Sequence, residues 1–205
     1  MRRRTFGKRP LLFVLLFLLL AGGWLIHEQH TLADSMIRLH VIANSDGRQD
    51  QRLKLAVRDA VLEEAAQLYP EQATLEEARA VLSDNLGRLT QAGERVVRDW
   101  GEHYSVSAQL EKCWFPTKTY PGFALPAGTY NALKIVIGAG EGQNWWCVAF
   151  PPLCLGAATE PLEEAVQSGA FSEAQADLMT QENGGYVLKF RCLELLGQLQ
   201  AFFLR

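Results

Sequence analysis

The residues equipped to do chemistry gather in one stretch, Arg38 to Asp59, where His40, Asn44, Ser45, Asp46, Asp50, Gln51, Lys54 and Arg58 follow one another around a single turn. His40 offers a base, Ser45 a nucleophile and Asp46 an orienting carboxylate, which is the logic of a nucleophilic hydrolase. Cys147, beside Asn144, Trp145 and Trp146, is a second candidate nucleophile for the same base. The hydrolase reading has weak support. His40 and Ser45 are close simply because they are near in sequence, no Gly-x-Ser-x-Gly elbow is present, and an amide neighbour alone does not activate a thiol. A structural reading needs less. Asn, Ser and Asp hydrogen-bond their own backbone in turns and at helix starts, and Asp46 and Asp50 suit the positive end of a helix.

Metal and cofactor chemistry lack a pattern. Zinc sites take three or four Cys or His ligands at short spacing, whereas the Cys147 and Cys154 pair has no second pair nearby, and Asp46 and Asp50 miss the calcium-loop spacing. No metal and no cofactor are expected.

The elements that would position these residues are legible in the periodicity. Ile37, Leu39 and Val41 alternate with Arg38 and His40, as in a half-buried strand with one polar face. From Asp50, Leu53, Val57, Val61 and Leu68 recur at helical spacing until Pro70. A second helix begins at Thr74 with the capping box Thr74-x-x-Glu77, and Gly93 is expected to interrupt it before a last turn through Val96, Val97 and Trp100. Strands follow: Tyr104 to Leu110, Cys113 to Thr119, Tyr130 to Ile137, and Trp145 to Phe150. The last two are joined by the glycine-rich 138–142, which reads as a β-hairpin. Tyr120 to Tyr130, rich in Pro, Gly and aromatics, reads as an ordered loop. Residues 156–184 read as a variable helical insertion, Tyr186 to Arg191 as a last strand, and Leu193 to Leu199 as a closing helix. The fold class expected is α+β, two long helices on a mostly antiparallel sheet, with 36–205 as a single domain.

Trp145 and Trp146 are adjacent, so on a strand they point to opposite faces. Either a helix covers the second face or one tryptophan anchors a partner.

The N-terminus differs from the rest. Arg2, Arg3, Arg4, Lys8 and Arg9 precede an apolar run over 11–26, as in an export signal or a membrane anchor occupying residues 1–30. The candidate cleavage sites are Ala21-Gly22-Gly23 and Thr31-Leu32-Ala33. With either outcome the basic flank stays in the cytoplasm and the remainder lies outside. Without 1–30 the chain carries 15 basic and 22 acidic residues, net −7, a poor match to nucleic acid or other polyanions. Four cysteines outside the membrane permit disulfides, and Cys147 with Cys154, flanking Pro151 and Pro152, is the pairing closest in sequence.

The blocks IRLHVIANSD, DQRLKLAVRDAV, FPTKTYPGFALPAGTYNALKIVIG and NWWCVAFPPLC, covering roughly 36–155, resemble the stage II sporulation protein R family of endospore-forming bacteria. The resemblance implies a signal rather than an enzyme. It would be made in the forespore, exported into the space between the two membranes, and required to activate a membrane-embedded aspartic protease that removes the pro-sequence of sigma-E. It assigns no contact residues. By residue type, the candidates for partner binding are His40, Asn44, Ser45, Asp46, Asp50, Gln51, Lys54, Arg58, Asn144, Trp145 and Trp146.

Overall fold

The computed structural model describes residues 31–70, 73–120 and 123–151, and beyond them Val166, Gly169, Phe171, Ser172, Gln175, Ala176 and Met179. The apolar run over 11–26, the expected strand at Tyr186 to Arg191 and the closing helix lie outside the described residues. Among the described residues no helix is long and apolar enough to cross a membrane.

The chain orders itself as β1 (Ile37–Ile42), α1 (Arg48–Leu68), α2 (Leu75–Asp84), α3 (Leu86–Asp99), β2 (Val106–Phe115), β3 (Lys118–Tyr120), β4 (Phe123–Leu125), β5 (Gly128–Ile137) and β6 (Asn144–Phe150). The four-stranded sheet has the order β2-β5-β1-β6, and β3 pairs with β4 in a separate two-stranded ribbon. β1 runs parallel to β5 and antiparallel to β6, while β2 is antiparallel to β5. The α+β class holds, with helices on a mixed sheet. The expected hairpin of β5 and β6 does not form, because β1 lies between them and Gly138 to Gln143 must cross its end. Local alternation specifies that two segments are strands, but the neighbour of each is chosen by tertiary packing.

β1 is also more buried than its alternation suggests. Ile37, Leu39 and Val41 face the helices, and the polar face is covered too: Arg38 is 0% and His40 8% exposed. A half-buried strand with a polar outer face is therefore not what forms. Two apolar clusters enclose it. On the helix side Ile37, Leu39 and Val41 meet Leu53, Val57 and Val61 of α1, Leu82 of α2, Leu89 and Val97 of α3, and Leu133 and Ile135 of β5. On the other side Leu32, Met36, Phe115, Phe123, Leu125, Tyr130, Val148, Phe171 and Met179 pack together. β4, within the stretch expected as an ordered loop, supplies Phe123 and Leu125 to this second layer. Phe171 and Met179, within 156–184, are buried in it as well.

Arg38 lies within this second layer, where a bare guanidinium would be costly. Its Nη2 donates to the Tyr120 hydroxyl at 2.8 Å and its Nε to the Cys147 carbonyl at 3.3 Å. The cation sits 4.1 Å from the Phe115 ring centroid and 4.9 Å from that of Tyr130, so aromatic faces supply the electrostatic partner. Nη1 is left without a hydrogen-bond partner.

α1 follows its apolar spacing and ends before Pro70, which disfavours helix at the residue preceding it. α2 opens on the expected capping box: Thr74 Oγ1 accepts from the Glu77 amide at 3.3 Å, and Glu77 Oε2 accepts from the Thr74 amide at 2.8 Å. The break in the second helical stretch falls at Asn85 instead of Gly93. The Asn85 side chain donates to the Val81 carbonyl at 2.8 Å, competing with the helix ladder as Asn does. Gly93 lies inside α3 because β2 approaches there: a Cβ on Gly93 would meet Val106 Cγ1 at 2.9 Å and Val57 Cγ1 at 3.2 Å.

Gly93→Ala gains about 1 kcal/mol of helix propensity but overpacks two stiff, buried valines. The expected net effect is a loss of about 1–2 kcal/mol, visible as a lower midpoint when the variant and the natural chain are unfolded thermally side by side.

Candidate functional site

The polar residues of the opening stretch assemble where β1 turns into α1, beneath the loop that connects β5 to β6. This loop passes over the end of β1 and is fastened by the turn. The Gly142 amide donates to the Ala43 carbonyl at 2.9 Å and the Glu141 amide to the Asn44 carbonyl at 3.2 Å. Side chains add to these: the Ala139 amide donates to Asn44 Oδ1 at 2.9 Å and the Gln143 amide to Asp46 Oδ1 at 2.8 Å. Lys54, reaching up from α1, donates to the Gln143 carbonyl at 2.9 Å and to Gln51 Oε1 at 2.7 Å. The close approach explains the glycines. A Cβ on Gly142 would collide with the Ser45 carbonyl oxygen, and Gly138 and Gly140 have φ of 57° and 66°, a region in which only Gly is unstrained.

Asp50 binds the turn from below. Its Oδ2 accepts from Ser45 Oγ at 2.6 Å and from Asn44 Nδ2 at 2.9 Å. The Ser45 hydroxyl above all, with Asn44 and Tyr104, holds the carboxyl below the usual carboxylate range, against the opposing effect of burial. Its place in the first turn of α1 suits the helix dipole, as expected. The capping expectation needs a correction, however: the N-cap is Gly47, with no side-chain cap. Ser45 Oγ instead accepts from the Gly47 amide at 3.1 Å, closing a small turn, and donates its proton to Asp50.

The exposures sort the candidates. Asp50 is 7%, Lys54 4% and His40 8% exposed. Asn44, Ser45, Gln51, Arg58, Trp145 and Trp146 are half-buried, while Asp46 and Asn144 are exposed. Burial pushes the Lys54 ammonium below its ordinary pKa, with nearby Asp46 opposing.

The adjacent tryptophans point to opposite faces, as the strand requires. Trp145 is on the helix side, where the Arg58 guanidinium lies 4.5 Å from its ring centroid. Trp146 stacks on His40 at 4.0 Å and meets Phe115 edge-on at 4.9 Å. Neither is a free anchor. Among the described residues the exposed large aromatics are Trp114, at 61%, and Trp100, at 38%, which no local pattern marked.

His40 and the nucleophile candidates are not brought together. In the β1–β6 register Leu39 is opposite Cys147 and His40 opposite Trp146, so the sheet itself separates Cys147 from the imidazole. Cys147 is moreover disulfide-bonded. Cys113 is free. Ser45 is committed to Asp50. His40 Nε2 lies 2.8 Å from Asn144 Oδ1, so with the amide oxygen as acceptor it carries the proton, and Nδ1 is buried without a partner. Burial first of all lowers the His40 pKa. Neither the Cys147–His40 nor the Ser45–His40 pair exists as a reacting geometry. Among the described residues no group of three His, Cys, Asp or Glu is placed to hold a metal ion.

Comparison with known proteins places these observations in a context. A family model described as Stage II sporulation protein R matches residues 33–160. The Stage II sporulation protein R of Bacillus subtilis (strain 168) is 37% identical over 158 residues, which covers 72% of this chain and 70% of that protein. No solved structure matches.

Two outcomes follow from the geometry. Asp50→Ala strips Ser45 and Asn44 of their acceptor and should cost about 1–3 kcal/mol, read as a shift in the urea midpoint. His40, neutral in the fold with its pKa lowered, makes the unfolded chain the better proton binder. Stability is therefore complete above its unfolded pKa, about 6.5, and falls as pH drops from there through the lower folded value. His40→Gln should flatten that part of the stability–pH curve, measured by denaturant titration between about pH 7 and 5.

Proposed function

The chain belongs to the stage II sporulation protein R family, which gives it a role in sporulation, and we propose that within this role it is an exported signal that activates a membrane-embedded aspartic protease to process pro-sigma-E. The observation that carries the proposal is the family match, which spans β1 through β6 and so the whole described sheet. The geometry supports a ligand rather than a hydrolase. The candidate nucleophiles are tied to Asp50 or to a disulfide, and the imidazole is sealed between Trp146 and Phe115.

Export would use the apolar run over 11–26, carrying the acidic domain out of the forespore into the intermembrane space, with this segment retained as an anchor or removed. If it is removed, the cut falls at Ala21-Gly22-Gly23. Leu32 is 0% and Ala33 5% exposed, so cleavage at Thr31-Leu32-Ala33 would withdraw Leu32 from the second apolar cluster. A bridge between Cys147 and Cys154 would tie the end of β6 to the segment after it, which suits an extracytoplasmic compartment.

The surface offered to the protease would be the rim where the turn meets the crossing loop, with exposed Asp46, Glu141, Gln143 and Asn144. Arg58 and Trp145 stand beside it. His40, Asp50 and Lys54 would position this rim from beneath. Binding there shifts the protease toward its active state only by as much as it prefers that state.

In a sporulating strain deprived of its own family member, the exported chain should restore pro-sigma-E processing on an immunoblot. Ser45→Ala should keep activity within about tenfold, whereas removing a true nucleophile costs roughly 1,000-fold or more. Asp46→Lys combined with Asn144→Lys should lower processing about tenfold or more at unchanged protein level. Full processing by that double variant would take this rim out of the contact.

A further inference from the structure

The geometry points to the outer edge of β2 as an interface with a second copy of this chain, two β2 strands pairing antiparallel so that the two sheets become one. β2 is the terminal strand of the sheet, and among the described residues nothing pairs with its free side. The opposite edge, β6, has further partners at Cys147 and Val148.

Sheet edges are normally guarded by shortness, proline, bulges or charge. β2 runs ten residues, has no proline, and pairs with β5 without a register shift. Its charges are Glu111 and Lys112, and Glu111 is already held by Lys134 at 2.9 Å. Trp114, 61% exposed, stands near the end of this strand.

The register that such pairing would take can be read from the strand. The Gly138 amide donates to the Ser105 carbonyl at 2.8 Å, and Ser105 faces Gly138 in the continuing β2–β5 register. Odd-numbered residues of β2 therefore direct their backbone groups at β5. In an antiparallel ladder the alternate residues, Val106, Ala108, Leu110, Lys112 and Trp114, direct theirs outward. A two-fold axis at Leu110 sets Leu110 against Leu110 of the second copy, Ala108 against Lys112, and Val106 against Trp114. The last is an aromatic and β-branched pair of the favourable kind. Gln109 then faces Glu111, and no like charges stand directly opposite. Moving the axis to Glu111 or to Lys112 would oppose that residue to its own copy, which is unfavourable. A strand that escapes like-charge pairing about the Leu110 axis is self-complementary in charge, as a two-fold interface must be.

The test is cysteine cross-linking of the full-length chain, exported from bacterial cells, in a Cys113→Ser background. Leu110→Cys places two thiols across a hydrogen-bonded pair, at a Cα separation of about 5.5 Å, which a disulfide can span. Mild oxidation should give a homodimer band on a non-reducing gel for Leu110→Cys, with Glu111→Cys and Lys112→Cys at least several-fold weaker. Adding Trp114→Lys should reduce the band about tenfold or more. Absence of the Leu110→Cys homodimer, equal bands at all three positions, or an adduct with a different protein in its place would overturn the proposal.

Discussion

The constraint on which the rest of this structure depends is the position of β1 between β5 and β6. Two strands consecutive in sequence are separated by a third, so their connection has to pass over the end of that third strand. A loop laid across a strand end buries backbone amides and carbonyls that must be satisfied. The Asn44–Asp46 turn satisfies them: Asn44 and Asp46 accept from the loop's amides, and Lys54 reaches its carbonyl from below. Asp50 then braces the turn through Ser45 and Asn44. The density of polar residues in this stretch, which resembles the makings of an active site, is what the crossing requires.

The same placement explains why β1 is apolar on one face and polar on the other without being exposed on either. A central strand in a sheet covered on both sides has to bury whatever its alternation presents. Arg38 is accommodated by aromatic faces and the Tyr120 hydroxyl, and His40 by Trp146 and Asn144. These groups are fixed rather than poised. What remains for a partner is the rim above them, held rigid by the network beneath, and rigidity of this kind lowers the entropy lost on binding. The signal proposed for this chain would need little more than such a surface.

Much of this was legible in the sequence. The apolar spacing of Leu53, Val57 and Val61 and the Thr74 to Glu77 capping box are local, period-driven features, and they formed as read. The opposite orientation of Trp145 and Trp146 followed from strand geometry alone. Three features were not legible because they depend on contacts between segments distant in the chain. The glycines at 138, 140 and 142 looked like a hairpin turn, although they serve the crossing: Gly142 lets the loop lie on Ser45, and Gly138 and Gly140 supply its positive φ angles. Gly93 looked like a helix break, although it makes room for Val106. Arg38 looked like the solvent side of a strand, because nothing nearby in sequence announces Phe115, Tyr120 and Tyr130 as its cover. The family resemblance contributed what no periodicity could, namely the biological setting.

The most direct measurement of the central claim is reconstitution in vegetative cells that make no other sporulation protein, co-expressing this chain with the aspartic protease it is proposed to activate and pro-sigma-E, and following the precursor by immunoblot. The account predicts that pro-sigma-E is shortened only when all three are present and residues 1–30 direct this chain out of the cytoplasm. Persistence of the precursor, with the protease in the membrane and the folded domain of this chain outside it, would contradict direct activation.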